Sequence, residues 1–301
     1  MSEPARYILI GAAGQLGSDL VRAFDGGGGG ALVPLTHRDI DILDARRAAE
    51  TLTALRPTHV INTAAWNLVD RAEDEPDAAF ALNRDAVGAL AATCERLGAA
   101  LVQFSTDYVF DGAKRTPYAE DDAPNPLSVY GESKLAGERL ARERCGRAFL
   151  IRVAALFGIA RSAGKGGSNF VEAMLRGAGS GRTLRVVADQ VTAPSYTRDV
   201  ARGVWRILAS GRPGLYHVSG SGEASWYDFA REIFRREGVA PALSAVTAEE
   251  YGARAKRPAY SVLGNGALRA LGHPSPPSWT DGLAAYLAER RAVSAMAPRV
   301  P

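Results

Sequence analysis

Short apolar runs alternate with longer segments of helical composition through the first half of this chain. The apolar runs have the length and composition of buried strands, and they fall at residues 7–10, 31–35, 59–62, 100–105 and 149–153. The helical segments lie between or beside them, at residues 15–24, 44–55, 77–97 and 129–144. Strands that alternate with helices pair in parallel, and the helices cover both faces of the sheet. The sequence therefore predicts an α/β fold built on a doubly wound parallel sheet.

The composition excludes several other classes of protein. Of the 301 residues, 47% are hydrophobic and the net charge is only +3, so the chain can bury a core and offers no strongly basic surface for nucleic acid. No apolar stretch approaches the ~18 residues that a membrane span needs. Cys94 and Cys145 form neither a metal motif nor a disulfide framework. We therefore expect a cytoplasmic protein with no nucleic-acid or membrane partner.

A glycine-rich segment joins the first predicted strand to the first predicted helix. Its glycines have the spacing GxxGxxG and begin at residue 11. Glycine permits a tight turn, and backbone N–H groups at the start of the helix can then approach a pyrophosphate. The alternative is a purely structural turn. The segment predicts a dinucleotide site that includes Gly11, Gly14, Gln15, Leu16 and Gly17.

The end of the second predicted strand indicates which dinucleotide binds. An acidic residue there would hydrogen-bond the ribose 2′-hydroxyl of NAD, whereas an arginine would favour the 2′-phosphate of NADP. The chain has Thr36, His37 and Arg38 at this point, and its first acid is Asp39. We therefore predict NADPH as the cofactor, with Arg38 at the 2′-phosphate and NADH as the alternative cofactor.

Three side chains suited to acid–base chemistry fall on consecutive predicted elements. Tyr130 and Lys134 are four residues apart and share one face of a helix, where the ammonium would lower the pKa of the phenol. Thr106 follows the fourth predicted strand, at the sheet edge where ligands bind in open α/β folds. In such a triad the tyrosine protonates a carbonyl oxygen as hydride arrives, and the threonine hydrogen-bonds the same oxygen. The alternative is a surface Tyr–Lys pair on a solvated helix.

Longer motifs surround these residues and are specific. They include GAAGQLG at 11–17, STDYVFDG at 105–112, YGESK at 130–134, DQVTAPS at 189–195 and RPAYSVL at 257–263. On these motifs the chain resembles the extended short-chain dehydrogenases/reductases, and within them the dTDP-4-dehydrorhamnose reductase family. The resemblance implies a Rossmann-type core with a smaller C-terminal lobe that binds substrate.

The division of the chain follows from that resemblance and from the local composition. We expect residues 1–155 to form the dinucleotide-binding core, completed by about 185–217, and residues 156–184 and 218–293 to form the substrate-binding lobe. The glycine run at 26–30 and the small, polar segment at 158–168 are typical of loops, and residues 294–301 of a flexible tail.

The resemblance also implies two sets of ligand contacts. The cofactor set adds to the glycine segment Asp41 and Ile42 at the adenine, Thr63, Ala64 and Ala65 along the dinucleotide, and Tyr130 with Lys134 at the nicotinamide ribose. The substrate set contains Thr106, Asp107 and Asn169. The alternatives are a close-packed strand end for residues 63–65 and a turn cap for Asp107.

The chain departs from the family pattern at several positions, and those that concern the substrate wall and the metal matter most. Where the family carries RTSW, with a tryptophan that packs on the sugar, this chain has RVAA and ends in Ala155. We expect Trp66 to supply an aromatic wall for the substrate from the other side. Some members hold magnesium between subunits through three glutamates, but the positions that can be matched here are Asp19 and Arg198. We predict no such metal site, because an arginine cannot be a ligand.

The resemblance implies that NADPH reduces the C4 carbonyl of a nucleotide-linked 4-keto-6-deoxysugar, most simply dTDP-4-dehydro-L-rhamnose to dTDP-L-rhamnose. Another dTDP-4-keto-deoxyhexose is the first alternative. A dehydratase is less favoured. It needs two carboxylates beside the hydroxyl, typically in the sequence Thr-Asp-Glu, whereas this chain has Thr106, Asp107 and Tyr108. A non-catalytic NADP-binding subunit, similar to the methionine adenosyltransferase beta subunit, is the alternative from another class. A homodimer is one option for the oligomeric state.

Overall fold

The computed structural model describes residues 4–26, 30–160 and 169–296. In this part of the chain the strands are β1 (Arg6–Ile10), β2 (Ala31–Leu35), β3 (His59–Asn62), β4 (Ala100–Thr106), β5 (Ala148–Val153), β6 (Leu156–Phe157), β7 (Leu184–Val187), β8 (Val191–Thr192), β9 (Ser195–Tyr196), β10 (Gly214–His217), β11 (Ala224–Ser225) and β12 (Leu243–Val246). The helices are α1 (Gln15–Ala23), α2 (Ala45–Leu55), α3 (Val69–Asp74), α4 (Pro76–Phe80), α5 (Ala86–Leu97), α6 (Val129–Arg144), α7 (Phe170–Ala178), α8 (Thr197–Ser210), α9 (Trp226–Glu237), α10 (Ala248–Tyr251), α11 (Gly266–Ala270) and α12 (Trp279–Met296).

The central sheet confirms the predicted doubly wound fold. Its six strands lie in the order β10-β5-β4-β3-β1-β2, and every neighbouring pair is parallel. The chain first places β2 on one side of β1 and then crosses back to place β3 on the other side. Ligands of open α/β sheets bind in the crevice beyond the carboxyl ends of the strands at such a reversal.

Two apolar clusters cover the two faces of this sheet. Leu52 of α2 and Leu90 of α5 are fully or almost fully buried in one cluster, which also contains Cys94 and Cys145 as free thiols. The other cluster is built around α1, α8 and α11 and fully buries Ile207. The helices that flank the sheet are therefore fixed by burial of their apolar faces, which is the main favourable contribution to folding.

The helix predicted over residues 77–97 is divided in the structure. The helix α4 ends at Phe80, and a π-helical turn (Ala81–Asp85) separates it from α5. The buried amide of Asn83 in this turn bonds both backbone groups of Trp66, at 2.9 and 3.0 Å, and the hydroxyl of Ser133 at 3.0 Å. The wider turn thus ties the segment after β3 to α6. Helical composition alone does not reveal it, because the local hydrogen-bond pattern changes while the apolar face continues.

The second half of the chain adds a smaller lobe. Its short strands pair as β7 with β12, β8 with β11 and β6 with β9, whereas β10 joins the central sheet. Its core is aromatic, and Phe157, Tyr196, Phe229 and Tyr286 are all buried there. The exact boundaries between this lobe and the core stay a prediction.

Three sequence predictions concern loops and termini. The helix α12 continues to Met296, so the predicted start of a flexible tail at residue 294 is too early. Residues 27–29 of the glycine run, 161–168 of the second predicted loop and 297–301 of the tail lie outside the described residues. Among residues 4–26, 30–160 and 169–296, none of the helices combines the length and the apolar character that a membrane span requires.

The contact between α6 and the π-helical turn yields a stability prediction. A Cβ at Gly137 of α6 would lie 2.0 Å from the carbonyl oxygen of Asn83, so Gly137→Ala must displace one element. Overpacking of this kind costs about 1–3 kcal/mol, and we expect urea unfolding to show a loss of that size. Gly146→Ala is the control, because its Cβ would meet nothing closer than 3.8 Å. Equal stability of Gly137→Ala and wild type would contradict the close packing of α6.

Candidate active site

A cavity of about 600 Å³ lies at the carboxyl edge of the central sheet, where the smaller lobe faces it. Most residues assigned from the sequence line this cavity: Gly11, Gly14, Gln15, Leu16, Gly17, Asp41, Ile42, Thr63, Ala64, Ala65, Thr106, Asp107, Tyr130, Lys134 and Asn169. Arg38 and Trp66 belong to the described residues and are not part of the lining. The fold thus brings both expected ligand sites into one cavity.

The glycine segment forms a bare backbone cradle at one end of the cavity. Gly11 has a φ of +83°, and a Cβ there would lie 2.4 Å from the Oγ1 of Thr63. A Cβ on Gly17 would lie 2.2 Å from the carbonyl oxygen of Gly11. The N-cap residue of α1 is Gly14, which has no side chain to cap the helix. Uncapped N–H groups at a helix N-terminus suit a pyrophosphate, so these residues fit a dinucleotide.

Asp39, the first acidic residue after β2, is not part of the cavity lining. The Oδ2 atom of Asp39 accepts two hydrogen bonds from Thr36, one from its backbone N–H and one from its hydroxyl, each at 2.7 Å. These hydrogen bonds lower the pKa of Asp39. Thr36 and His37 line the cavity, while the side chain of Arg38 is exposed outside it. The Asp39 carboxylate is therefore engaged in a local turn, and the role of Arg38 at a 2′-phosphate stays a prediction.

Tyr130 and Lys134 lie on one face of α6, as their spacing predicted. Ser128 caps this helix by accepting the N–H of Gly131 at 3.2 Å. The ammonium of Lys134 donates to the carbonyl oxygen of Phe104 at 2.7 Å, which anchors α6 to the end of β4. The hydroxyl of Thr106 acts to lower the pKa of the Tyr130 phenol, and both residues line the cavity. The three side chains therefore meet at the carboxyl end of β4.

The electrostatics of the tyrosine differ from the expectation. Burial raises the pKa of Tyr130 to about 12, and the nearby carboxyl of Asp107 acts in the same direction. Burial also lowers the pKa of Lys134 to about 8. The sequence predicted a lowered tyrosine pKa, but the ammonium is bonded to a backbone carbonyl and loss of hydration dominates at the phenol. Tyr130 is thus protonated at neutral pH, as a proton donor must be.

Asp107 connects the core to the smaller lobe. It is buried, and its carboxylate accepts from Thr106 at 3.0 Å, from Ser261 at 2.6 Å and from Thr192 at 3.4 Å. Burial raises its pKa to about 6. Ser261 and Thr192 lie in the motifs RPAYSVL and DQVTAPS, so the sequence contained both partners without indicating where they would meet.

Ser105 is a further polar residue that the sequence analysis did not assign. It lines the cavity beside Thr106. Its Oγ is buried and has no hydrogen-bond partner within the described ranges. Ser105 thus adds a buried, unpartnered hydroxyl next to the cavity at the end of β4.

Trp66 does not form the aromatic wall that we expected from the sequence. Its backbone is held by Asn83, and its ring lies under the guanidinium carbon of Arg71 at 5.6 Å. The next residue, Asn67, lines the cavity instead. The reason is the π-helical turn, which fixes this segment so that the amide residue rather than the indole reaches the cavity.

Aromatic lining comes instead from the smaller lobe. Phe170 and Trp226 line the cavity as the first residues of α7 and α9, and their ring centroids are 4.8 Å apart. Phe229 stacks on Phe170 at 5.4 Å and fixes its position. Each of the two residues directly follows the residue that caps its helix, Asn169 for Phe170 and Ser225 for Trp226. A cap followed by an aromatic residue was the sequence signal that could have identified them.

Asn169 lines the cavity but uses its side chain within the protein. Its Oδ1 accepts the N–H of Glu172 at 3.0 Å, and its Nδ2 donates to the carbonyl oxygen of Gly158 at 2.9 Å. These bonds start α7 and fix the segment after β6. The contact between Asn169 and substrate therefore stays a prediction.

Around the positions that were matched to the family's metal site, Asp19 and Arg198, the acidic side chains are hydrogen-bonded to arginines. Asp19 is fully buried and bonds Thr197 at 2.5 Å as well as the guanidinium of Arg22. Glu289 accepts from Arg22 and from Arg198, the latter at 3.1 Å. Within residues 4–26, 30–160 and 169–296, no cluster of three or more His, Cys, Asp or Glu side chains could hold a metal ion. The absence of a metal site in this protein stays a prediction.

Known proteins share this sequence over nearly its whole length. A family profile described as the RmlD substrate binding domain matches residues 5–292. The chain is 41% identical to the spore coat polysaccharide biosynthesis protein SpsK of Bacillus subtilis, over 95% of this chain and 98% of that protein. It is 36% identical to the dTDP-4-keto-6-deoxy-D-glucose reductase of Streptomyces niveus, over 92% and 95% of the two chains.

A solved structure agrees with the fold. The dTDP-4-dehydrorhamnose reductase of Bacillus anthracis, determined in complex with NADP, superposes with a TM-score of 0.89. The two chains are 34% identical, and the match covers 95% of this chain and 99% of that one. Because the profile and these relatives span almost the entire chain, the protein belongs to the RmlD family of dTDP-4-dehydrorhamnose reductases.

Proposed function

We propose that this protein uses NADPH to reduce the C4 carbonyl of a dTDP-linked 4-keto-6-deoxysugar. The observation that carries the proposal is the single cavity that joins the glycine cradle to Thr106, Tyr130 and Lys134. Relatives named as dTDP-4-keto-sugar reductases, one of them solved with NADP, support it. A regulatory subunit would not need this intact triad beside a dinucleotide cradle.

The reaction that we propose first converts dTDP-4-dehydro-L-rhamnose into dTDP-L-rhamnose. The Bacillus anthracis relative is named for this sugar, and the Streptomyces niveus relative for dTDP-4-keto-6-deoxy-D-glucose. The two sugars differ by epimerisation, so a coupled assay distinguishes them. The test adds dTDP-4-keto-6-deoxy-D-glucose with and without a 3,5-epimerase and follows the loss of NADPH absorbance. Turnover only with the epimerase supports the rhamnose reaction, and turnover without it assigns the D-glucose sugar.

The side chains of the triad have distinct roles in this proposal. NADPH supplies the hydride for C4. Tyr130 donates its phenolic proton to the C4 oxygen. The Thr106 hydroxyl, which donates to Asp107 in this structure, turns to donate to the same oxygen as its negative charge develops. Lys134 binds the nicotinamide ribose and stabilises the phenolate by its positive charge. The pKa of about 12 keeps Tyr130 protonated before the reaction, so a nearby cation is needed after the proton has left.

The proposed setting is the cytoplasm. Both Cys94 and Cys145 are buried free thiols, which is compatible with a reducing compartment. A homodimer is the oligomeric option that the sequence raised, and sedimentation velocity at micromolar protein tests it.

Removal of the Tyr130 hydroxyl tests its role as the proton donor. We expect Tyr130→Phe to lower kcat by ~100-fold or more, because general acid catalysis contributes on that order. The dissociation constant for NADPH, measured by fluorescence, should stay nearly unchanged. Tyr251→Phe is the control, since this tyrosine is exposed on α10. Wild-type kcat in Tyr130→Phe would refute the assignment.

The cofactor preference depends in our proposal on Arg38. A charge-assisted hydrogen bond to phosphate is worth ~1.5–3 kcal/mol, so Arg38→Ala should raise the KM for NADPH by roughly 10-fold or more. The KM for NADH should not change, because NADH lacks the 2′-phosphate. Arg96→Ala, at an exposed position on α5, serves as the control. If Arg38→Ala leaves NADPH kinetics unaltered, another residue reads the 2′-phosphate.

The aromatic wall allows a direct comparison of two tryptophans. We expect Trp226→Ala to raise the KM for the dTDP-sugar by roughly 10-fold through loss of ring contact, with the KM for NADPH unchanged. Trp66→Ala should affect the sugar KM less, because Trp66 does not line the cavity. The opposite ranking would restore Trp66 as the substrate wall, and thermal unfolding of both variants checks that each is folded.

A further inference from the structure

A buried ion pair lies behind the cavity. The side chains of Glu138 on α6 and Arg152 on β5 are each only 3% exposed. The guanidinium donates to the two carboxylate oxygens at 2.9 and 2.7 Å. Burying two charges costs more hydration energy than many such pairs recover, so stability alone is a weak reason for this pair. Neither residue belongs to the cavity lining of the described chain.

Glu138 and Lys134 lie one helical turn apart on the same face of α6. Lys134 is itself only 4% exposed, and within the described part of the chain its ammonium donates to the neutral carbonyl oxygen of Phe104. Burial lowers the pKa of Lys134, and the carboxylate of Glu138 acts in the opposite direction. The carboxylate is thus placed to offset the lost hydration of the ammonium.

Few other ionisable groups near α6 approach this lysine. The strand β4 carries none, and Asp107 acts on Tyr130 and Tyr108 at the opposite side of the triad. Cys94 of α5 lies near Cys145, beyond the far end of α6. The charged residues of α3, α4 and the π-helical turn are exposed or half-buried at the protein surface. Among the described residues of α6, Glu138 is therefore the buried carboxylate, and it lies one turn from Lys134.

Arg152 is held in place by its own surroundings. Its guanidinium carbon lies 5.0 Å from the centroid of the Phe110 ring. His217 is its partner across the β5–β10 register, and burial together with the charge of Arg152 lowers the pKa of His217 to about 3. The histidine is consequently neutral and adds no charge. Loss of the Glu138 charge would leave the buried guanidinium of Arg152 without its carboxylate partner.

We propose that Glu138, oriented by Arg152, is a positioning residue that keeps the ammonium of Lys134 charged in its buried site. The inference rests on the proposed function, because the charge on Lys134 matters there for stabilising the phenolate of Tyr130. Glu138 itself contacts neither cofactor nor substrate and acts through Lys134.

The direct test is the titration of Lys134 by NMR. The chain has only four lysines, at 114, 134, 165 and 256, so the side-chain signals labelled with ¹³C can be resolved and Lys134→Arg identifies the relevant one. We expect an apparent pKa near 8 in the wild type and a decrease of roughly one unit or more in Glu138→Gln. The control is Glu132→Gln, an exposed position on the same helix, with no shift. An identical titration of Lys134 in wild type and Glu138→Gln would overturn the proposal.

The second readout is the pH profile of kcat/KM. The reaction needs charged Lys134, so activity should fall as the pH rises through its pKa, and this fall should begin at lower pH in Glu138→Gln. Glu138→Asp should restore part of the wild-type profile. A shifted NMR titration with an unchanged pH profile would support the effect of Glu138 on Lys134 and refute the proposed role of Lys134 in the reaction.

A folding control separates charge from structure. If Glu138→Gln does not fold, the double variant Glu138→Leu with Arg152→Met removes both buried charges, an exchange that proteins often tolerate. The pKa of Lys134 should still lie below its wild-type value in this variant, because the carboxylate is gone. A wild-type titration of Lys134 in the folded double variant would contradict the proposal.

Discussion

The packing of α6 against the carboxyl end of β4 determines the whole site. The 2.7 Å bond from Lys134 to the carbonyl of Phe104 joins the two elements, and it places Tyr130 opposite Thr106. The close approach of Gly137 to the π-helical turn fixes the same helix from its outer side. One rigid contact therefore supplies both the proton donor and the cation, while the glycine cradle at the end of β1 is held by the sheet itself.

Buried polar groups then connect this contact to the substrate side. Asp107 accepts hydrogen bonds from Ser261 and Thr192, which belong to segments remote in sequence from β4. One helical turn further along the same face of α6, the pair of Glu138 and Arg152 lies behind Lys134. The triad is thus flanked by two buried carboxylates that differ in role: one ties the smaller lobe to the core, and the other balances the charge of the lysine.

The sequence predicted the features that depend on local periodicity. Alternating segments predicted the parallel sheet, and the four-residue spacing placed Tyr130 and Lys134 on one helical face. The prediction failed where tertiary contacts decide the outcome. The π-helical turn directs Asn67 rather than Trp66 to the cavity, and the Phe170–Trp226 pair forms only when two distant helices begin side by side. The raised pKa of Tyr130 depends on burial, which the spacing does not show.

The central claim is that this cavity transfers hydride from NADPH to C4 of a dTDP-4-keto-6-deoxysugar and delivers a proton to the neighbouring oxygen. It is tested most directly with NADPH that carries deuterium at the reactive nicotinamide carbon and with dTDP-4-dehydro-L-rhamnose as acceptor. NMR and mass spectrometry of the product should show dTDP-L-rhamnose with deuterium at C4. Unreacted keto-sugar, recovered from a folded protein that binds NADPH, would contradict the account.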